Sequence, residues 1–205
     1  TQKTKHILDI GTGFAPIPLF LSHKTKAHIT GVEIQADVAS IASKNIKLNA
    51  LENQITIIHN DVVNLRDTYL PSSFDMITVN PPFFKVKEGS KLNQNDYKTI
   101  ARHEVTLDLE TIMKEASYLL KNKGKLYLVH RAERLSEIVD YLNTYNFALK
   151  RLKMVYPKQG EEAMTLLIEA SHHGPEGVKI LEPLYVHNQD GSYSNTALKI
   201  FNNEG

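Results

Sequence analysis

Residues 6–16 read HILDIGTGFAP, and the division of this stretch decides the fold. His6 to Ile10 form a short apolar run that stops at glycine, the mark of a buried strand. Asp9 stands one residue before its end. Gly11 and Gly13 let the backbone turn tightly and come close to a ligand. The segment 15–24, APIPLFLSHK, then reads as a helix. Its prolines fall in the first turn, where a missing N–H costs little. The unpaired N–H groups of that turn favour a negative partner. A strand, a glycine turn and a helix in this order open a β–α unit.

The pattern repeats outward. Residues 27–34 (AHITGVEI), 54–61 (QITIIHND) and 74–80 (FDMITVN) read as further strands. Between the second and third, residues 36–51 carry Val38, Ile41, Ala42, Ile46 and Leu48 at helical spacing. After a polar stretch, 85–106, a helix is expected to begin near Leu109 and to end at Gly124. A fifth strand follows at 125–131 and a helix at 132–146. Residues 147–156 and 162–171 read as an antiparallel pair joined by a Pro/Gly turn. Strands alternating with helices give an α/β fold, a mostly parallel sheet covered on both faces. The hairpin adds a strand that runs against the rest. Residues 1–171 read as the main domain and 172–205 as a polar tail or edge appendage. The chain starts a few residues before its first strand, which suggests a natural N-terminus further upstream.

Composition narrows the class. Hydrophobic residues make up 41% and charged residues 23%, as in a soluble globular protein. No apolar run approaches the roughly 20 residues of a membrane span, and no signal peptide is visible. There is no cysteine, which excludes disulfides and thiolate metal sites. The nine histidines are scattered without metal-ligand spacing, so no metal is expected. A cytoplasmic protein fits these features. The net charge is +1, yet residues 120–160 carry nine basic residues (Lys121, Lys123, Lys125, Arg131, Arg134, Lys150, Arg151, Lys153 and Lys158) against Glu133, Glu137 and Asp140. This window is either a solvated face or a surface facing phosphates.

Two acids stand where strands end. Glu33 closes the second strand, where a carboxylate can grip both hydroxyls of a ribose. Asp61 follows the third, where it could read an adenine. A dinucleotide fold shares the glycine loop, but its fingerprint needs glycine at position 16, which is Pro16 here. A two-glycine loop alone could be an ordinary strand-to-helix turn. Loop, Glu33 and Asp61 together fit a nucleoside held by ribose and base.

The fourth strand runs into NPPFF, residues 80–84. Neither proline can donate to a ladder, so the strand must stop. An amino group conjugated to a ring is a poor nucleophile, because its lone pair is delocalised. Two acceptors aimed at its N–H bonds hold the nitrogen nearer to tetrahedral. The side-chain oxygen of Asn80 and the carbonyl of Pro81 can be those acceptors, with Pro82 fixing them in place. Phe83 can stack on a base turned out of its strand, and Phe84 can line the pocket. The alternative is an ordinary strand stop with two core rings.

In order, DIGTG, GVEI, ND and NPPFF resemble the S-adenosylmethionine-dependent methyltransferases of the seven-strand Rossmann-like class. The resemblance implies that Asp9, Gly11 and Gly13 surround the methionine part of S-adenosylmethionine. It implies that Glu33 takes the ribose hydroxyls, that Asp61 and Val62 take the adenine, and that Ile34 packs on its ring. It puts the first and fourth strands side by side at the centre.

The NPPF type of motif serves enzymes acting on adenine in DNA or RNA, guanine in ribosomal RNA and glutamine in proteins. Further similarity over residues 6–200, including GVEIQ (31–35), ARHE (101–104) and VHNQDGSYS (186–194), points to bacterial methyltransferases of adenine 37 in a valine tRNA. Members of that family carry a further N-terminal stretch that helps enclose the cofactor. The implied partner is tRNA, without membrane or metal, and the oligomeric state is open. Arg102 and His103 either meet substrate or cap the next helix. His130 and Arg131 are read as local structure. The alternatives are the same chemistry on ribosomal RNA guanine, DNA adenine or protein glutamine, and a non-catalytic RNA-binding module.

Overall fold

The computed structural model describes residues 4–81 and 108–202. Strands β1 (His6–Ile10), β2 (His28–Glu33), β3 (Ile55–His59), β4 (Phe74–Val79) and β5 (Leu120–Arg131) are mutually parallel. Strand β7 (Thr165–His172) runs antiparallel between β5 and β6 (Phe147–Tyr156). The order is β3-β2-β1-β4-β5-β7-β6, with β1 and β4 adjacent at the centre. Two short strands, β8 (Lys179–Ile180) and β9 (Leu184–Tyr185), pair with the outer edge of β6. They extend the seven-strand arrangement to nine strands among the described residues.

Helices α1 (Pro16–Ser22), α2 (Ala36–Leu48), α3 (Leu109–Leu119), α4 (Leu135–Thr144) and α5 (Asn195–Phe201) complete the described chain. One apolar cluster joins Leu8, Ile10, Ile77 and Val79 of the central strands to Ile112, Met113 and Leu119 of α3 and to Ile138 and Leu142 of α4. A second joins Ile7, Ile29 and Ile55 to Ala42 and Ile46 of α2. The central strands are therefore buried, and their near-continuous apolar sequences follow from that.

The structure refines three of these readings. First, α3 ends at Leu119 rather than Gly124, and Leu120 is already extended. Leu120 pairs with Phe74 and Lys125 with Met76, so residues 121–124 bulge out of the ladder. Lys123 turns there with φ of 62°. A Cβ on Gly124 would lie 2.8 Å from the Lys121 carbonyl. The glycine thus permits a close backbone approach at the entry to β5, not a helix cap.

Second, α2 buries Ala39, Ala42 and Ile46, while Ile41 and Leu48 are exposed. Small residues on the inner stripe let the helix sit close to the sheet. Third, acids partner five of the nine basic residues of the 120–160 window. Lys121 meets Asp75, Lys125 and Arg151 both meet Glu169, Arg131 meets Glu133 and Arg134 meets Glu137. Lys150 donates to the carbonyls of Pro175 and Glu176. Most of that charge is used within the fold.

No helix among the described residues is long and apolar enough to cross a membrane.

Candidate active site

Parallel strands end together, and β1, β2, β3 and β4 deliver the loop residues to one end of the sheet. The β1–β4 ladder pairs Asp9 with Thr78 and Ile10 with Val79. Gly11 and Asn80 are the residues that follow this last pair on the two strands. The glycine loop and the strand-four elbow thus leave the sheet at the same level and as neighbours.

The loop is tightly turned. Gly11, Gly13 and Ala15 all take positive φ, at 67°, 56° and 66°. Ala15 is fully buried and caps α1 in the left-handed conformation. A Cβ on Gly13 would meet nothing within 4 Å, so the loop opens onto free space. Glu33 is buried, and its two carboxylate oxygens accept from the backbone N–H of Gly13 and of Gln35, each at 3.0 Å. No cation pairs with it among the described residues. A buried, fixed negative charge of this kind retains acceptor capacity on both oxygens for hydroxyl donors.

Asp9 lies deeper, at 1% exposure. Thr12 Oγ1 donates to one carboxylate oxygen at 2.7 Å and Thr78 Oγ1 to the other at 2.5 Å. Burial pushes its pKa up to about 6, partly offset by the hydroxyls of Thr78 and Thr12. Asp9 therefore bridges the loop to β4, and its reach toward a ligand runs through Thr12. Neither threonine stands out in the sequence. Only the pairing of β1 with β4 shows that Thr78 faces this carboxylate.

At the β3 end, Asp61 caps the short 3₁₀ helix Val62–Asp67 by accepting from Val63 N–H at 3.2 Å. The Val62 side chain is in the core, whereas Val63 is 41% exposed. Ile34 is 36% exposed at the end of the adjacent β2, and Phe14 of the glycine loop is 55% exposed. Exposed apolar side chains at three neighbouring strand ends suit a flat ring. His59 Nε2 lies 3.1 Å from the Ile34 carbonyl and holds β2 and β3 together there.

Asn80 is exposed and Pro81 is buried. The amide thus faces outward from a backbone anchored in the sheet. In the β4–β5 ladder Val79 pairs with Leu128, and His130 follows two residues further along β5. His130 is buried, and its Nδ1 accepts from Arg131 N–H at 2.8 Å. Burial, and then the Arg134 charge, lower its pKa to about 4, so the ring is neutral at pH 7. Pro82, Phe83, Phe84, Arg102 and His103 lie outside the described residues. No group of His, Asp and Glu among the described residues could hold a metal ion.

The methyltransferase small domain matches residues 1–148 of this chain. The chain belongs to that family. A relative from Porphyromonas gingivalis, named tRNA1(Val) (adenine(37)-N6)-methyltransferase, is 32% identical over 88% of this chain and 80% of its own. The fold resembles a predicted O-methyltransferase of Agrobacterium tumefaciens, with a TM-score of 0.76 at 20% identity over 97% of this chain and 88% of that one. It also resembles a SAM-dependent methyltransferase of Methanosarcina mazei, with a TM-score of 0.59 at 19% identity over 89% and 95%. This small-domain methyltransferase is an enzyme that uses S-adenosylmethionine, and its sheet has the order expected of class I methyltransferases. The open loop at Gly13, the unpaired Glu33 carboxylate and the apolar strand ends fit that cofactor.

Proposed function

We propose that the chain methylates the exocyclic N6 amine of an adenine in tRNA, at position 37 of the anticodon loop. The observation that supports this reading is the β1–β4 ladder, which ends at Ile10 and Val79 and so lets the glycine loop and Asn80 leave adjacent strands at one level. The name of the Porphyromonas gingivalis relative supports the choice of acceptor.

S-adenosylmethionine, when bound, supplies a methyl group on a positively charged sulfur. The residues of the chain do the rest. Gly11 and Gly13 leave room for the methionine part, and Asp9 holds their loop through Thr12. Glu33 accepts from the two ribose hydroxyls. Asp61 and the Val62 backbone stand at the adenine edge, and Ile34 lies on its face.

Asn80 Oδ1 and the Pro81 carbonyl accept the two N–H bonds of the target amine, so its lone pair points at the methyl carbon. With the cofactor bound, the N–C bond would form as the S–C bond breaks, that electron pair being left on sulfur. The nitrogen then carries the positive charge and loses a proton to water. No general base is required before transfer, since the proton leaves after the nitrogen has gained its charge. Pro82 stiffens the elbow, Phe83 stacks on the adenine and Phe84 lines its pocket. Arg102 and His103 contact the RNA. The protein works in the cytoplasm, where its substrate is.

Labelled cofactor offered with separate pools of unmodified tRNA, ribosomal RNA, DNA and protein tests the acceptor. Counts should appear in tRNA, and counts confined to another pool would overturn the reading. Asn80→Ala should lower the transfer rate by ~10²-fold, the usual loss for a preorganised polar group. Cofactor affinity by calorimetry should stay unchanged. An affinity that falls as far as the rate would remove Asn80 from this role.

A further inference from the structure

The segment 186–194, VHNQDGSYS, has no part in the transfer chemistry, yet it is closely built. Strand β9 runs parallel to β6 through the pairs Val155–Leu184 and Tyr156–Tyr185. Since β6 is itself parallel to β4, the chain leaves β9 at the end of the sheet that bears Asn80. Four strand steps separate β9 from β4, on the order of 20 Å at the usual strand spacing. An RNA that extends from a base at Asn80 along this end of the sheet would reach this ground within a few nucleotides.

His187 and Tyr193 form an antiparallel bridge, and their rings stack at 4.9 Å and 23°. Tyr193 meets Phe201 edge-on at 5.1 Å. The turn between is pinned from within. Asn188 N–H donates to the Ser192 carbonyl at 2.8 Å, and the Asn188 side-chain amide donates to Ser192 Oγ at 3.0 Å. The Gln189 amide donates to the Gln159 carbonyl at 2.8 Å and ties the turn to the β6–β7 connection. With their N–H groups used in this way, Asn188 Oδ1 and Gln189 Oε1 accept no bond among the described residues. A cavity of about 270 Å³ opens here, lined by Gln159, Tyr185, His187, Asn188, Gln189 and Ser194 among others.

Tyr193 stays 49% exposed and Phe201 61% exposed despite their mutual contact. Exposed ring faces beside fixed amide acceptors are the means by which proteins take unstacked bases. We propose that this turn and its cavity bind an unpaired nucleobase of the RNA substrate, a few nucleotides from the base that enters at Asn80. The proposal rests on the RNA reading above. The occupant is a base rather than a phosphate, because Lys158 and Lys199 are balanced nearby in sequence by Glu161, Glu162 and Asp190. Its contribution is stacking and hydrogen bonding, with little counterion release.

The test uses the whole chain, a tRNA transcript and labelled cofactor. Tyr193→Ala should raise the KM for tRNA by about 10-fold, in line with the loss of one base–aromatic stack. The KM for the cofactor and the slope of log KM against log salt should be unchanged. Tyr193→Phe should restore the wild-type KM. Gln189→Ala, a change on the exposed turn, should raise the same KM without disturbing the rings. Wild-type KM for tRNA in both alanine variants would overturn the proposal while leaving the methylation reading intact. A rise matched in the cofactor KM would also overturn it, since that marks general disruption. No transfer to RNA by the wild-type chain would overturn both readings.

Discussion

Among the described residues, the carboxyl of Asp9 is held by two hydroxyls and by nothing charged. Its two donors come from different places, Thr12 in the glycine loop and Thr78 two residues before Asn80. The bridge therefore sets the distance between the cofactor loop and the elbow. Thr78→Val removes one donor from a buried carboxylate and should cost about 2 kcal/mol at pH 7. The Thr78 hydroxyl lowers the Asp9 pKa, so its loss raises that pKa further. The cost should therefore shrink at pH 5, where the carboxyl is already protonated. Denaturant midpoints at the two pH values measure this. Transfer rate should fall in Thr78→Val and recover in Thr78→Ser. The positions of Asp9, Glu33 and Asn80 at or next to strand ends were legible in the sequence, because the apolar runs that mark the strands stop there. Thr12 and Thr78 were not, because a hydroxyl on a strand has no signature until its neighbour across the ladder is known.

At the level of elements, β2 packs against the loop it serves. A Cβ on Gly31 would lie 2.8 Å from Thr12 Oγ1 and 3.0 Å from Thr12 Cβ. Gly31→Ala must push Thr12 away from Asp9, because the Thr12 backbone is fixed by its N–H bond to the Val32 carbonyl. Expected results are a stability loss of about 1–3 kcal/mol and weaker cofactor binding, read by thermal unfolding and calorimetry. The strands were legible from their β-branched runs, and their observed ends lie within a few residues of the reading. The end of α3 was not. Leucine at 119 and 120 and lysine at 121 continue a helical pattern in sequence, and glycine at 124 looks like its stop. What ends the helix is the pairing of Leu120 with Phe74, a contact 46 residues distant along the chain. The appendage was read only as polar, because two-residue strands are too short for any periodicity.

For the whole molecule, two buried groups give stability opposite pH dependences. Asp9 has a folded pKa raised from 3.8 to about 6. Its contribution is fully present below pH 4 and is lost as the pH rises through 6. His130 has a folded pKa lowered from 6.5 to about 4. Its contribution is present above pH 6.5 and is lost as the pH falls through 4. His172 is shifted in the same direction as His130, by burial and then by His173. Across pH 4 to 6.5 the two kinds of group oppose each other and flatten the profile. Asp9→Asn removes the falling part, so the stability of that variant should climb more steeply with pH than the wild type. Urea midpoints at half-unit steps across this range check the slope.

Strand β7 sits between β5 and β6 although it follows both in sequence. That order has a consequence in time. On the ribosome β1 to β5 are complete while β7 is still unmade, and β5 then ends the sheet with an open row of amides and carbonyls. Strand β6 emerges next and has no place to dock. Only β7, at Thr165–His172, supplies the neighbour that both lack. The residues of the glycine loop and the elbow thus exist in the nascent chain well before their sheet is sealed. Until then an unguarded edge is open to any other extended chain.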